Sequence, residues 1–219
     1  MAVETPLVPR AVRTGGILLL VGAVQFVAAM LLVDSRFGGF DPRTTGVLAL
    51  RTAPGPWGTL FEASLVAWGV LTAFGLLFSW SAFDARPSRG LGAFALLASS
   101  AAVVAIGAYP LATAHPAPRT LELLGYAAVG AFALGLFALA FAMHGHARWR
   151  ISRAYTLATA VALLGTAALY AFHLDLGYGY GSLERAAVGI AVAWAVVEGA
   201  HVALLHRFAP GLQVKVAAA

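Results

Sequence analysis

At 219 residues, with 61% hydrophobic and only 11% charged side chains, the chain carries less than half the roughly 25% charge of a soluble domain, and its mean hydropathy is +0.85. A soluble fold of this length has no means of burying so much apolar surface, so composition excludes one and points to a bundle that crosses a bilayer. The formal charge of +5 sits in short loops rather than in a tract, which argues against nucleic acid, and the absence of cysteine removes disulfides, thiolate metal sites and cysteine nucleophiles.

Residues 1–15 read as a polar tail in which Arg10 and Arg13 precede an apolar run, Ile17 to Val33. That run is too long for an ordinary signal sequence, and Asp34-Ser35-Arg36-Phe37 offers no small-x-small cleavage site, so it is expected to be an uncleaved first span. The next connection is the longest, about two dozen residues, a length typical of lids and mobile loops. It mixes Asp34, Arg36, Asp41, Arg43 and Arg51 with Phe37, Phe40 and Trp57. A short interfacial helix is expected over Thr45 to Arg51, with Val47, Leu48 and Leu50 against the bilayer and Arg51 reaching headgroup phosphate; a solvated loop is the alternative.

Five further apolar runs follow, Leu60 to Phe83, Leu91 to Ala112, Leu121 to Met143, Ala154 to Leu174 and Leu183 to Leu205, each long enough to cross about 30 Å of hydrocarbon. Open strands are excluded because unpaired backbone groups in lipid cost several kcal/mol each. The expectation is an all-α, polytopic membrane helical bundle of about six transmembrane helices over residues 16–206, followed by a tail at 207–219. Runs of Ala and Gly such as Ala127 to Gly135 predict close helix contacts and a tight bundle rather than a wide pore.

Arg10, Arg13, Arg86, Arg89, Arg148, Arg150, Arg153, Arg207 and Lys215 collect on one side of such a bundle. Arg36, Arg43, Arg51, Arg119 and Arg185 collect on the other. The excess of basic residues places both termini in the cytoplasm of a multi-pass protein of the cell membrane.

Glu62, Glu122 and Glu184 begin the second, fourth and sixth runs, where the helix dipole favours a negative charge. The alternative is that they converge with Arg51, Arg119 and Arg185 on a pocket at the outer mouth, where a partly desolvated carboxylate can act as an acid. Trp57, Tyr109, Tyr178 and Tyr180 suit an aromatic belt, or else a functional loop cluster. Deeper, Glu198 shares a helical face with Trp194 and His201, and an ionisable group there is a functional candidate by default. Its bland counterpart is a polar clamp to Gln25 of the first helix.

A lone Glu-x-x-His does not make a di-metal site. His173 and His201 lie toward opposite ends of their helices, which argues against a shared haem, and His144-Gly-His146 reads as a headgroup contact. No metal or cofactor is expected, and no nucleophile elbow or phosphate loop is present.

Phe61 to Gly69, Ile106 to Pro110 and Gly181 to Arg185 followed by Trp194 resemble the six-helix bacterial and archaeal membrane family catalogued as domain of unknown function 998, over nearly the whole chain. The resemblance implies the fold and topology. It also implies an Asn-like residue at the position of Glu62 and a His-Gly pair near Glu122-Leu123, so both departures of this chain add acid.

Three functions fit. The first is an intramembrane enzyme on a lipid or isoprenoid, in general logic similar to small membrane terpene cyclases. Glu62, Glu198 or Glu184 would protonate the substrate, with Arg51, Trp57, Arg185, Trp194 and His201 binding it. The second is a proton-coupled carrier built on Glu198, His201 and Gln25. The third is an accessory bundle whose polar groups only clamp helices.

Overall fold

The computed structural model describes residues 10–38, 41–83, 86–109, 118–145, 149–172, 174 and 177–208, without the side chains of 118–119 and 206–208. The tails expected at 1–15 and 207–219 lie largely outside them, as do Phe40, His146 and His173 and the side chain of Arg119.

Six α-helices dominate the described residues: α1 (Arg10–Arg36), α2 (Pro56–Ser79), α3 (Pro87–Ala108), α4 (Pro118–Ala142), α5 (Arg150–Ala171) and α6 (Tyr180–Phe208). All six are long and apolar enough to cross a membrane. They run from 22 to 29 residues, about 33–44 Å at the rise of an α-helix. Most begin ahead of the apolar run that reveals them in the sequence, because their first polar turns continue past the hydrocarbon. Pro56 and Pro87 occupy opening positions of α2 and α3, where a missing N–H costs nothing and the fixed φ suits the first turn.

The helices form a closed ring in chain order, each packed on its neighbours and α6 returning to α1. With an even number of crossings, the start of α1 and the end of α6 share one end of the bundle, termed here the terminal end. The long loop and the α6 start form the distal end.

Lipid supplies no hydrophobic drive between helices, so contacts rest on close approach and interhelical hydrogen bonds. Gly16 and Gly199 bring α1 onto α6, and a Cβ on Gly199 would lie 2.8 Å from the Gly16 carbonyl oxygen. Gly75 meets the Gly15 carbonyl on α1, Gly69 meets the Ser100 carbonyl on α3, and Gly92 meets the Gly135 carbonyl on α4. The glycine of α5, Gly165, faces open space.

Helix α5 is instead joined to α6 through polar groups. Trp194 Nε1 donates to Thr156 Oγ1 at 3.1 Å, and Ser152 Oγ donates to Glu198. Each such bond contributes about 0.6 kcal/mol on average in a membrane protein.

Candidate functional site

Where the ring lacks close seams lies a half-open cavity of about 180 Å³ lined by residues from all six helices and by Val47 and Leu48 of the long loop. The expectation of a tight bundle therefore holds for the α1–α4 and α6–α1 seams but not for the centre. Small residues account for both features. Gly125, Ala128, Ala167, Ala187 and Ala191 line the cavity, and their lack of bulk leaves the volume that glycines elsewhere remove. Phe26, Trp68 and Phe132 line its apolar part, with the Phe26 and Trp68 rings stacked 4.5 Å apart.

The polar end of the cavity lies distally, at Glu122, Tyr126, Tyr170 and Glu184. Tyr126 donates its hydroxyl proton to Glu122, one turn earlier on α4, at 3.3 Å. Its ring meets that of Tyr170 edge-on at 5.7 Å, and Tyr170 in turn meets Tyr180 at 6.0 Å. Three helices are joined there by aromatic edges.

A short 3-10 helix, Val47–Thr52, roofs the cavity. A short helix stands where an interfacial one is expected, starting two residues later, but Val47 and Leu50 turn inward and are buried. Arg51 corrects the sequence reading as well. It is 3% exposed and donates through Nε and Nη2 to Glu62, at 3.2 and 3.0 Å, and to the Tyr109 carbonyl. Two N–H groups converging on the one Oε1 oxygen of Glu62 hold the guanidinium within the protein rather than at a headgroup phosphate.

The same roof is held by α6. Glu184 accepts the Leu48 N–H at 3.1 Å, and a Cβ on Gly46 would overlap its carboxylate. Arg185 donates to the carbonyls of Pro42 and Thr45, at 3.0 and 2.7 Å, and pairs with Asp34 at 3.2 Å. Gly179, with φ of +83°, and Gly181 let the loop backbone lie directly on the start of α6, where the Gly181 N–H donates to Arg43 O at 2.9 Å. The Gly-Tyr-Gly-Tyr-Gly run thus serves loop docking, while Tyr178 stays 68% exposed, as a belt residue would.

Glu62, Glu122 and Glu184 do not occupy first turns, because α2, α4 and α6 start at Pro56, Pro118 and Tyr180. The helix-dipole reading fails for that reason. The acids do not converge on one pocket either. Glu122 and Glu184 face the cavity, whereas Glu62 pairs with Arg51 outside its lining.

Of the eight residues singled out for catalysis or substrate contact, Glu184 lines the cavity; Glu62, Glu198, Arg51, Trp57, Arg185, Trp194 and His201 lie elsewhere. Trp57 sits under the Arg36 guanidinium, 5.6 Å from its ring centre. Trp194 meets Phe132 edge-on at 5.4 Å.

Glu198 lies toward the terminal end, buried against Ser152, and His201 stacks on Trp149 at 5.2 Å. The clamp to Gln25 expected for Glu198 is not formed. Gln25 Nε2 instead donates to the Ser64 and Gly22 carbonyls, at 3.0 and 3.1 Å, and so ties α1 to α2. Among the described residues no cluster of His, Asp and Glu is arranged to hold a metal ion.

Tyr126 and Tyr170 went unmarked in the sequence reading. The i, i+4 spacing of Glu122 and Tyr126 was a signal for the first. Nothing local marks the second, since its partners come from α4 and α6.

A family model described as "Protein of unknown function (DUF998)" matches residues 20–201. The chain belongs to the DUF998 family. That match spans the spans, the roof and the cavity, and the family description assigns no activity. Neither the curated proteins nor the solved structures contain a match to this DUF998 chain.

Proposed function

We propose that this DUF998 protein takes a lipid- or isoprenoid-class molecule from the bilayer into its central cavity and acts on it by acid chemistry, with Glu184 and Glu122 as the acids. The observation that carries this reading is the cavity itself. Apolar walls reached by all six helices, with carboxylates and phenols gathered at one end, match the general form of a small-molecule site. The roof favours entry from lipid rather than water, since Val47 and Leu48 cover the distal end.

Protonation of an alkene by a Glu184 or Glu122 carboxylic acid would leave a carbocation facing Trp68, Phe26 and Phe132, whose ring faces stabilise positive charge. Loss of a proton from a neighbouring carbon back to the carboxylate would close the cycle. Glu62 and Glu198 take structural roles in this proposal. The setting is the cell membrane, with both termini cytoplasmic, in keeping with the basic residues of the terminal end.

A product screen tests it. Membranes bearing the wild type, Glu184→Gln or Gly125→Leu are incubated with isoprenoids and with the host's own lipid extract, then analysed by mass spectrometry. Gly125 lines the cavity, and a Cβ there meets nothing within 4 Å, so a leucine side chain starts into open space at the wall. A product made by the wild type and lost in both variants is expected. Identical profiles would reject catalysis.

One observation favours a second reading, a purely structural bundle: Glu62, Glu184 and Glu198 each bond to a protein partner. It predicts identical product profiles together with lowered thermal stability when these residues are replaced.

A further inference from the structure

The cavity wall is rich in oxygen, yet four of its hydroxyls direct their protons into the protein. Ser99 Oγ donates to Ala128 O at 2.8 Å, Ser100 Oγ to Leu96 O at 2.9 Å and Thr166 Oγ1 to Ala162 O at 2.8 Å. Tyr126 donates to Glu122. Trp68 and Thr72 also line the cavity, but Nε1 and Oγ1 of these residues are buried from it and meet no partner. What the wall offers a guest is therefore chiefly acceptors, two carboxylates and the lone pairs of hydroxyls whose protons are already used, beside one phenolic donor, Tyr170.

Charge points the same way. Among the described residues, Glu122 and Glu184 line the cavity and no Arg, Lys or His does. The two nearby guanidinium groups do not line it. Arg185 binds loop carbonyls and Asp34, and Arg51 binds Glu62 and the Tyr109 carbonyl. A phosphate ester at this end would meet two carboxylates, and the one cation beside them, Arg185, has its hydrogen bonds committed to Asp34 and to loop carbonyls.

Size sets a further limit. A dry cavity of about 150 Å³ accommodates benzene, so 180 Å³ admits on the order of ten heavy atoms. That suffices for a small molecule or for one end of a longer chain.

We infer that the cavity receives an apolar molecule through a hydrogen-bond-donor head, an alcohol or an ammonium, seated against Glu122 and Glu184, and that it rejects phosphorylated lipids. This inference rests on the cavity reading above and sharpens its substrate class; it concerns the ionised carboxylates that receive the guest, and the acid step follows only once one of them has taken up a proton. It makes isoprenoid diphosphates, despite their apolar tails, poor candidates for the substrate.

The test is equilibrium retention of four labelled ten-carbon probes by the full chain in lipid nanodiscs: geraniol, geranylamine, geranyl monophosphate and the parent hydrocarbon. Retention by Gly125→Leu discs sets the background of lipid partitioning. Geraniol, geranylamine or both should be retained at least about tenfold better than the phosphate, given the repulsion between like charges a few ångströms apart. Whichever of the two is retained better identifies the head. Glu122→Gln, at an exposed position whose described bond is to Tyr126 alone, should shrink that preference without unfolding the protein.

Retention of the phosphate equal to or above that of the alcohol and amine would overturn the inference and leave the cavity reading standing. Retention of the hydrocarbon equal to that of the alcohol and amine would do the same. Probes held no better by the wild type than by Gly125→Leu would sink the cavity reading, and this inference with it.

Discussion

Arg51 is the residue on which the distal end depends most. Its guanidinium is buried to 1% side-chain exposure while Glu62 keeps 24%, so removing the arginine leaves a partly buried carboxylate without its partner. Arg51→Met is expected to lower stability by about 3 kcal/mol, the scale for breaking one side of a buried pair. The double variant Arg51→Met/Glu62→Leu should recover most of that loss, because no charge is left unpaired. Unfolding in mixed micelles would measure both, and simple additivity of the two single changes would contradict the coupling. The other acids differ in character for equally local reasons. Glu184 is spent on a backbone N–H, Glu198 on a serine hydroxyl, and Glu122 on a phenol one turn away.

At the scale of elements, the ring is assembled by two different devices. Helices α1 to α4, and α6 against α1, meet through glycines that admit a neighbouring backbone, whereas α5 is joined to α6 by polar bonds. Gly16→Leu and Gly199→Leu should each destabilise by about 3 kcal/mol or more, the upper range of overpacking, since the obstacle is backbone rather than a side chain that can rotate. Gly189→Leu serves as the control, being exposed with no atom within 4 Å of a built Cβ. It should be neutral, or slightly stabilising through helix propensity. Comparable losses at all three positions in a thermal melt would refute the division between seams and open faces.

For the whole molecule, the six-helix ring puts the start of α1 and the end of α6 at one face and the roof at the other. The lack of native cysteine makes this directly testable. Thr44→Cys in the roof loop and His144→Cys between α4 and α5 are both exposed positions. With cytoplasmic termini, an impermeant maleimide added to intact cells should label Thr44→Cys, and His144→Cys only after lysis. The reverse pattern would invert the orientation drawn from the basic residues.

Composition alone determined that the chain is a membrane bundle, and hydropathy located its six spans, because a bilayer demands long uninterrupted apolar runs and internally satisfied backbone. The family resemblance was legible as well, in Phe61 to Gly69, Ile106 to Pro110 and Gly181 to Arg185. Partner choice was not. Whether Arg51 meets a phosphate or Glu62, whether Gln25 meets Glu198 or Ser64, and whether Glu184 faces water or a roof amide all depend on distances between segments far apart in the chain. The same holds for the cavity. A run of Ala and Gly reads identically whether it lets two helices touch or leaves a space between them, and only the packed ring assigns Gly16 and Gly199 to a seam and Gly125 to a void.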